Sequence, residues 1–340
     1  MFPALAVGDE LVRRGWQVSF AGRPDSIEAG IVTAHGVSFH GLDAAAVLGR
    51  GPVDTAKAAL KIALSSFSAR RLLKKLDVDV VVATGAYVSA PAALAARTLG
   101  VPLLLLEPNA RPGLANRWLS RIASVAATAF EQTASQMRCR CRLTGVPVRQ
   151  QFFEQRPRST AEPRWRVLVL GGSQGATDLN RVVPQALATV ALQLDRSLSV
   201  LHQTGRGKED EARTLYASHG VDAEVVPFLD DVADALAEAD LVLSRSGAVT
   251  LAEICAAGRP SLLFPLRIAS GHQVQNAAVL CGAGAAEMVD VTDSRTVAKL
   301  LGRLLNDDLL QAMSSAARGL SRPLAAQDIA DEVVHLGGAN

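Results

Sequence analysis

Two short segments of the chain combine residue types suited to holding a diphosphate. In Arg166-Val-Leu-Val-Leu-Gly-Gly-Ser-Gln-Gly-Ala176 an apolar strand pattern runs into Gly171, Gly172, Ser173 and Gly175, and a helical pattern follows directly. Glycines let backbone N–H groups approach a phosphate, and a helix N-terminus adds positive potential. No Gly-Lys-[Ser/Thr] is present, which excludes an NTPase loop, and no suitably placed acidic residue follows to make a dinucleotide site. Tight helix–strand packing would call for the same glycines. In Leu241-Val-Leu-Ser-Arg-Ser-Gly-Ala-Val-Thr-Leu-Ala-Glu253 a second strand pattern enters Ser246, Gly247 and Ala248 before a helix. The N–H groups of Ala248, Val249 and Thr250 are expected as free donors there. Glu253, about one turn on, is placed to accept both hydroxyls of a ribose. Thr250-x-x-Glu253 also matches a capping box, which needs no ligand.

A third polar cluster, Gly271-His-Gln-Val-Gln-Asn276, follows the strand pattern at 261–265. Amides donate and accept together, which suits the hydroxyls of a sugar. In the first half Thr84-Gly-Ala-Tyr-Val-Ser-Ala-Pro91 and Glu107-Pro-Asn-Ala-Arg-Pro-Gly113 hold the equivalent strand-to-helix positions. Each alone reads as an ordinary turn; their shared location at strand carboxyl ends points to a ligand. A helical pattern over 57–75 sets Leu60, Leu64, Phe67, Leu72 and Leu73 among Lys57, Lys61, Arg70, Arg71, Lys74 and Lys75. That mixture suits an anionic membrane leaflet, or equally a solvated amphipathic helix on its own sheet. At 4% aromatic residues, nothing resembles a nucleic-acid stacking platform.

These turns need a scaffold, and 340 residues suffice for two domains with their own cores. Strand-sized apolar runs at 16–21, 37–40, 78–83, 101–107 and 125–130 alternate with helical patterns, among them 3–14, 90–99 and 113–122. In the second half the strand runs are 165–170, 199–203, 223–228, 241–243, 261–265 and 286–289. Helical patterns follow at 176–194, 209–218, 232–238, 249–256 and 273–281, and from 297 to a last helix at 325–336. This alternation is the signature of βα units: an α/β chain with two doubly wound, Rossmann-like parallel-sheet domains facing a cleft. The expected division is 1–149, a polar linker at 150–163, a second domain at 164–322 and a final helix at 323–340 that caps its own domain or crosses back to the first. Residues 1–150 carry 18 Lys/Arg against 10 Asp/Glu, and 151–340 carry 17 against 23, so the first domain is expected to face an anionic partner. Four cysteines exclude a disulfide scaffold, and Cys139-x-Cys141 lacks the second pair a zinc site needs. No apolar run reaches the roughly 18 residues of a membrane span, and no basic n-region precedes an apolar segment, so a cytoplasmic protein is expected.

Taken in order, these motifs resemble the MurG family, the N-acetylglucosaminyltransferases that convert lipid I to lipid II in bacterial peptidoglycan synthesis. Phe2-Pro-Ala-Leu-Ala-Val looks like the helix after that family's first glycine-rich loop, and Gly85-Ala-Tyr-Val-Ser-Ala-Pro resembles its second. Glu107-Pro-Asn-Ala-Arg-Pro-Gly-Leu-Ala-Asn-Arg, Thr144-Gly-Val-Pro-Val-Arg, Gly171-Gly-Ser-Gln-Gly-Ala, Ser244-Arg-Ser-Gly-Ala-Val-Thr-Leu-Ala-Glu and His272-Gln with Asn276 complete the set. The resemblance implies a glycosyltransferase of the B fold that takes UDP-N-acetylglucosamine without a cofactor or bound metal. It implies Leu229 at the uracil, Glu253 at the ribose, and Ser173, Arg149 and Ala248, Val249 and Thr250 at the diphosphate, with Leu251 and Ala252 beside them. Gln273 with His272 would read the sugar hydroxyls. Tyr87, Ser89, Glu107 and Asn109 would serve the acceptor, lipid I, with Asn109 also reaching the donor. Lys57, Lys61, Phe67, Arg70, Arg71, Lys74 and Lys75 would face the cytoplasmic leaflet of the cell membrane, with the protein held there peripherally. The C4 hydroxyl of N-acetylmuramic acid would displace UDP with inversion.

The departures from the family concern its first loop. The N-terminal strand and the Gly-Gly-Thr-Gly-Gly-His loop have no counterpart here, and the histidine usually taken as general base would precede Met1, so no catalytic base is assigned. The expectation is a start codon placed too far downstream. Ala86 and Ala90 stand where glycine is usual, and Pro108 where glutamine is common. Two other readings stay open at this point: another UDP-sugar enzyme of the same fold (glycosyltransferase or epimerase), and a UDP-sugar-binding form without activity.

Overall fold

The computed structural model describes residues 1–42, 52–85, 89–154, 164–172, 175–267, 271–290 and 293–338, with side chains of the helix after residue 51 described from Ile62 on. The chain divides into two units, Met1–Val148 with Leu324–Asn340, and Arg149–Pro323. The first runs α1 (Phe2–Arg13), β1 (Ser19–Gly22), α2 (Ile27–Ala34), β2 (Ser38–Gly41), α3 (Pro52–Lys75), β3 (Val81–Ala83), α4 (Ala90–Leu99), β4 (Leu103–Glu107), α5 (Leu114–Leu119), β5 (Val125–Thr128) and β6 (Arg140–Leu143). Its strands form a parallel pair β1-β2 and a parallel four-stranded sheet β3-β4-β5-β6. Every residue of β4 is buried, as a strand covered on both faces must be, which is why it reads as four leucines before Glu107.

The second unit runs β7 (Arg164–Leu170), α6 (Thr177–Ala191), β8 (Ser197–Gln203), α7 (Glu209–Ser218), β9 (Asp222–Val226), α8 (Val232–Glu238), β10 (Leu241–Ser244), α9 (Ala248–Ala256), β11 (Ser261–Leu263), α10 (His272–Gly282), β12 (Ala286–Met288), α11 (Ser294–Leu304) and α12 (Asp307–Leu320). Its six strands are parallel in the order β12-β11-β10-β7-β8-β9. The chain therefore winds outward from β7 to β9, then returns to the other side of β7 at β10. That reversal is a topological switch point, where open α/β sheets leave a crevice beyond their strand carboxyl ends.

The last helix, α13 (Ala325–Gly337), belongs to the first unit. Ile329, Ala330 and Val333 pack with Val7 and Leu11 of α1 and with Leu104 and Leu106 of β4. Trp16, expected to open a strand, instead sits half-buried against this helix. A Cβ added at Gly337 would come within 2.4 Å of its ring, so only glycine allows that approach.

Candidate functional site

In the second unit the register of β7 against β10 pairs Leu170 with Ser244, so the two strands end at the same level. The turns that follow, one beginning at Gly171 and the other at Arg245, emerge side by side at the switch point. Together with the start of α10 they line a cavity of about 710 Å³ whose walls include Gly171, Gly172, Gly175, Gly247, Thr250 and Gln273. Three motifs separated by about a hundred residues are thus brought to one place.

The glycines of the first turn divide their work. A Cβ on Gly171 would lie 2.7 Å from the carbonyl oxygen of Gln203, and one on Gly175 2.2 Å from that of Thr204. Close packing of the turn against β8 excludes any side chain at both. Gly172, with φ +76°, has nothing within 4 Å of an added Cβ and opens on the cavity. Packing therefore accounts for Gly171 and Gly175, and Gly172 is left open toward the cavity. Ser173 lies outside the described residues.

The second turn excludes the capping box. Helix α9 starts at Ala248 with Gly247 as its N-cap, and no side chain caps it. Thr250 is three residues inside the cap, so its hydroxyl is misplaced for the reciprocal pair, and the first-turn N–H groups are left for something else. Leu251 already bonds back to the Gly247 carbonyl and is buried, while Ala252 is half-buried. Arg245, not singled out from sequence although it lies in the motif, donates to the carbonyl of Phe264 at 2.8 Å and pairs with Asp178 at the start of α6. It ties the ends of β10 and β11 to the glycine turn.

Gln273 is oriented by the backbone. Its Oε1 accepts from the N–H of Leu266 at 3.0 Å, which leaves the amide NH₂ to face the cavity. The oxygen keeps a second lone pair, so the side chain retains both donor and acceptor capacity. The Ser246 hydroxyl donates to the Gln273 carbonyl at 2.9 Å, and the buried Asn276 amide donates to the Ser246 carbonyl at 3.3 Å, so the third motif is latched to the second. His272 opens α10, half-buried.

Glu253 lies on α9, half-buried. Burial pushes its carboxyl up to about 7, with the positive charge of Arg149 pulling the other way. Arg149 is exposed, its guanidinium 5.2 Å over the ring of Phe152. Leu229 is half-buried in the turn between β9 and α8.

In the first unit, Tyr87 lies outside the described residues, as do the side chains of Lys57 and Lys61. Ser89 is the half-buried N-cap of α4 and makes no side-chain cap bond. Glu107 ends β4 with 2% of its surface exposed. Its Oε1 accepts from the N–H and Nδ2 of Asn109 at 3.0 and 3.1 Å, and its Oε2 from the Gly113 N–H and Asn116 Nδ2 at 2.9 and 3.0 Å. A carboxylate has about four lone-pair sites, and all are taken. Glu107 is therefore not a direct acceptor contact; it holds the loop from Asn109 to Gly113 in shape. On α3 the exposed Phe67 carries the Arg71 guanidinium 4.7 Å above its ring, and Lys74 and Lys75 are exposed. Arg70 instead donates to Thr98 at the end of α4, and Leu72 and Leu73 turn inward. The outward face is thus Leu64, Phe67 and the later cations.

A doubly wound unit with two strand-to-helix turns meeting at its switch point, joined to a second parallel-sheet unit, has the architecture of the glycosyltransferase B fold. Residues 166–333 match the glycosyltransferase family 28 C-terminal domain and residues 1–128 the glycosyltransferase family 28 N-terminal domain. The chain is 42% identical, over 98% of its length and 96% of the relative's, to the UDP-N-acetylglucosamine–N-acetylmuramyl-(pentapeptide) pyrophosphoryl-undecaprenol N-acetylglucosamine transferase of Stutzerimonas stutzeri. It is 39% identical to the enzyme of the same name from Methylococcus capsulatus, over 100% of this chain and 96% of that one. The crystal structure of Acinetobacter baumannii MurG superposes with a TM-score of 0.83 at 34% identity, covering 98% of this chain and 95% of the other. The chain belongs to the MurG family.

Proposed function

We propose that this protein transfers N-acetylglucosamine from UDP-N-acetylglucosamine to the C4 hydroxyl of N-acetylmuramic acid in lipid I, forming lipid II for the bacterial cell wall. The observation that carries the reading is the meeting of the glycine turn after β7, the uncapped start of α9 and the Gln273 amide around one cavity, in a chain whose relatives bear that activity in their names. In this reading the N–H groups of Ala248, Val249 and Thr250, the glycine turn and Arg149 take the charge that develops on the departing diphosphate. Fixed donors of this kind need no reorganisation as the bond breaks, which makes them a large part of the rate enhancement. Glu253 accepts the ribose hydroxyls, the Gln273 amide donates to the sugar, Leu229 borders the base, and no metal is assigned. The acceptor hydroxyl attacks the anomeric carbon from the face opposite UDP as the bond from that carbon to the diphosphate oxygen breaks, giving inversion, a β-1,4 bond, free UDP and a released proton.

Lipid I is assigned to the first unit, served by Asn109 on the loop that Glu107 shapes. The exposed Phe67, Leu64, Arg71, Lys74 and Lys75 of α3 are assigned to the anionic membrane surface, where apolar rings enter the interface and cations meet lipid phosphates. Trp118 on α5, 73% exposed beneath the Arg121 guanidinium, has the same chemistry. No helix among the described residues is long and apolar enough to cross a membrane, and the association proposed is peripheral.

Calorimetry with UDP-N-acetylglucosamine, run beside turnover of a lipid I analogue in vesicles, tests the reading. The expected result is saturable donor binding with release of UDP and a disaccharide product, unchanged by a metal chelator. Epimerisation of the donor sugar, or donor binding with no transfer to the analogue, would replace this function by one of the two alternatives.

A further inference from the structure

Behind the glycine turn lies a polar chain buried in an otherwise apolar layer. Asn180 in the second turn of α6, His202 near the end of β8 and Tyr216 on α7 are exposed by only 1%, 0% and 2%. The Asn180 Nδ2 donates to the carbonyl of Thr204 at 3.0 Å, and its Oδ1 lies 3.1 Å from His202 Nε2. His202 Nδ1 lies 3.0 Å from the Tyr216 hydroxyl. These contacts allow one proton arrangement. The Asn180 amide nitrogen faces a carbonyl, so its oxygen faces the ring, and Nε2 must carry the hydrogen. Nδ1 is then bare and accepts from the Tyr216 O–H. Any flip would set two donors or two acceptors against each other, an unsatisfied buried pair that costs about 1–3 kcal/mol.

The far end of this chain touches the cavity wall. The Thr204 carbonyl that Asn180 grips is the group that a Cβ on Gly175 would strike at 2.2 Å. One peptide oxygen thus sets the approach of the glycine turn to β8 and receives the Asn180 amide. The N–H of Asn180 also bonds the Ala176 carbonyl at 2.9 Å. Burial drives the His202 ring down to about 3, so it stays neutral and the arrangement holds across physiological pH. An apolar trio would fill the same space, but it would not fix the rotation and depth of α6 against β8.

We propose that the Asn180–His202–Tyr216 chain sets the position of the glycine turn, making Asn180 and Tyr216 positioning residues for the donor's diphosphate. The role at the diphosphate rests on the donor reading above; the positioning of the turn does not. The experiment uses the full chain in two variants, Tyr216→Phe, which removes only the last hydroxyl, and Asn180→Asp, which sets two acceptors face to face at Thr204. Without ligand, nitrogen-15 spectra should show His202 as the Nε2–H tautomer with no titration between pH 5 and 8. The amide resonances of Gly172, Gly175, Ala176 and Thr177 should move in Tyr216→Phe although the hydroxyl lies on another helix. An Nδ1–H tautomer, or unmoved turn amides, would overturn the positioning. With UDP-N-acetylglucosamine, either variant should raise the donor KM about ten-fold, the scale of one net hydrogen bond, with the acceptor KM unchanged. Variants that melt earlier yet keep the wild-type donor KM would show a purely structural role and refute the diphosphate half. Failure of the wild-type protein to bind UDP would strike the donor reading instead, with the turn amides still judging the positioning.

Discussion

The backbone N–H of Leu266 donates to Oε1 of Gln273 at 3.0 Å, and this one bond decides what Gln273 offers a ligand. With the oxygen anchored on Leu266, the NH₂ group is the part of the side chain left without a protein partner at the cavity wall. Gln273→Glu keeps an oxygen for Leu266 but turns the presented donor into a charged acceptor beside the expected diphosphate. The donor KM should rise by about ten- to a hundred-fold, the range for hydrogen bonds that involve a charged group. Steady-state kinetics with UDP-N-acetylglucosamine measures it. A KM unchanged in the variant would remove Gln273 from the donor site.

The proposed ribose role of Glu253 predicts a pH dependence of defined sign. Burial lifts its carboxyl from 4.5 to about 7, and the ionised form is much the stronger acceptor for two ribose hydroxyls. Donor affinity should therefore tighten as pH rises through about 7 and level off above it. Glu253→Ala should lose about 1.5–3 kcal/mol of donor binding and flatten that profile. Arg149→Ala removes the charge that opposes the lift, so its midpoint should move to higher pH. The effect on folding runs the other way. A carboxyl whose folded value is raised keeps its proton longer than the unfolded chain does, so it lowers stability as pH climbs from 4.5 toward 7. Glu253→Gln should abolish that slope in ligand-free unfolding curves. Calorimetric titrations at several pH values check the binding half.

Much of this architecture was legible because parallel strands buried on both faces read as apolar runs: the run at 165–170 became β7 and that at 241–243 became β10. The turns after them could be found because glycines and small residues mark the one place where backbone is left bare. What escaped was whatever depends on partners far along the chain. Strand β6 reads Arg-Cys-Arg-Leu, an alternation only four residues long in which Cys141 faces the core while the arginines serve α13 nearly two hundred residues later. The capping-box reading of Thr250 and Glu253 failed because the helix begins two residues before Thr250, a boundary that spacing alone does not mark. Glu107 looked like an acceptor contact until its four donors could be counted, and the orientation of Gln273 depends on a peptide N–H seven residues away.

The outward face of α3 predicts an uneven response to charge removal. Arg71, Lys74 and Lys75 are exposed, whereas Arg70 already donates to the hydroxyl and carbonyl oxygens of Thr98 at 2.7 and 2.8 Å. Each of the first three should weaken binding to phosphatidylserine-containing vesicles by about 1 kcal/mol when replaced by alanine. Arg70→Ala should weaken it less and cost folding stability instead. Phe67→Ser should reduce binding without altering its salt dependence, because the ring contributes through burial in the interface. Sedimentation with vesicles at two ionic strengths separates these effects. Equal partitioning of the triple variant and wild type would discard α3 as the membrane face.

The C-terminal helix makes the last test, since its attachment is electrostatic as well as apolar. Glu332, 6% exposed, receives the guanidinium of Arg142 at 3.0 Å and also that of Arg140, while Asp331 takes Arg14 at 2.6 Å. Burial alone would raise the Glu332 carboxyl, but the hydrogen bonds from Arg140 and Arg142 hold it below the usual carboxylate range. A folded value depressed in this way contributes stability above the unfolded carboxylate range and loses it as pH falls through the folded value. Glu332→Gln should therefore lower stability at neutral pH by about 1–3 kcal/mol, the cost of weakening charged hydrogen bonds whose arginine ends are partly solvated. The deficit should shrink in acid, where the wild-type carboxyl also gains its proton. Urea unfolding measures the deficit, and the indole N–H resonance of Trp16, whose ring abuts Gly337, reads the release of α13 apart from Trp118 and Trp165. A deficit that grows toward acid would mean that Glu332 is held protonated by burial, and that apolar packing alone docks the helix.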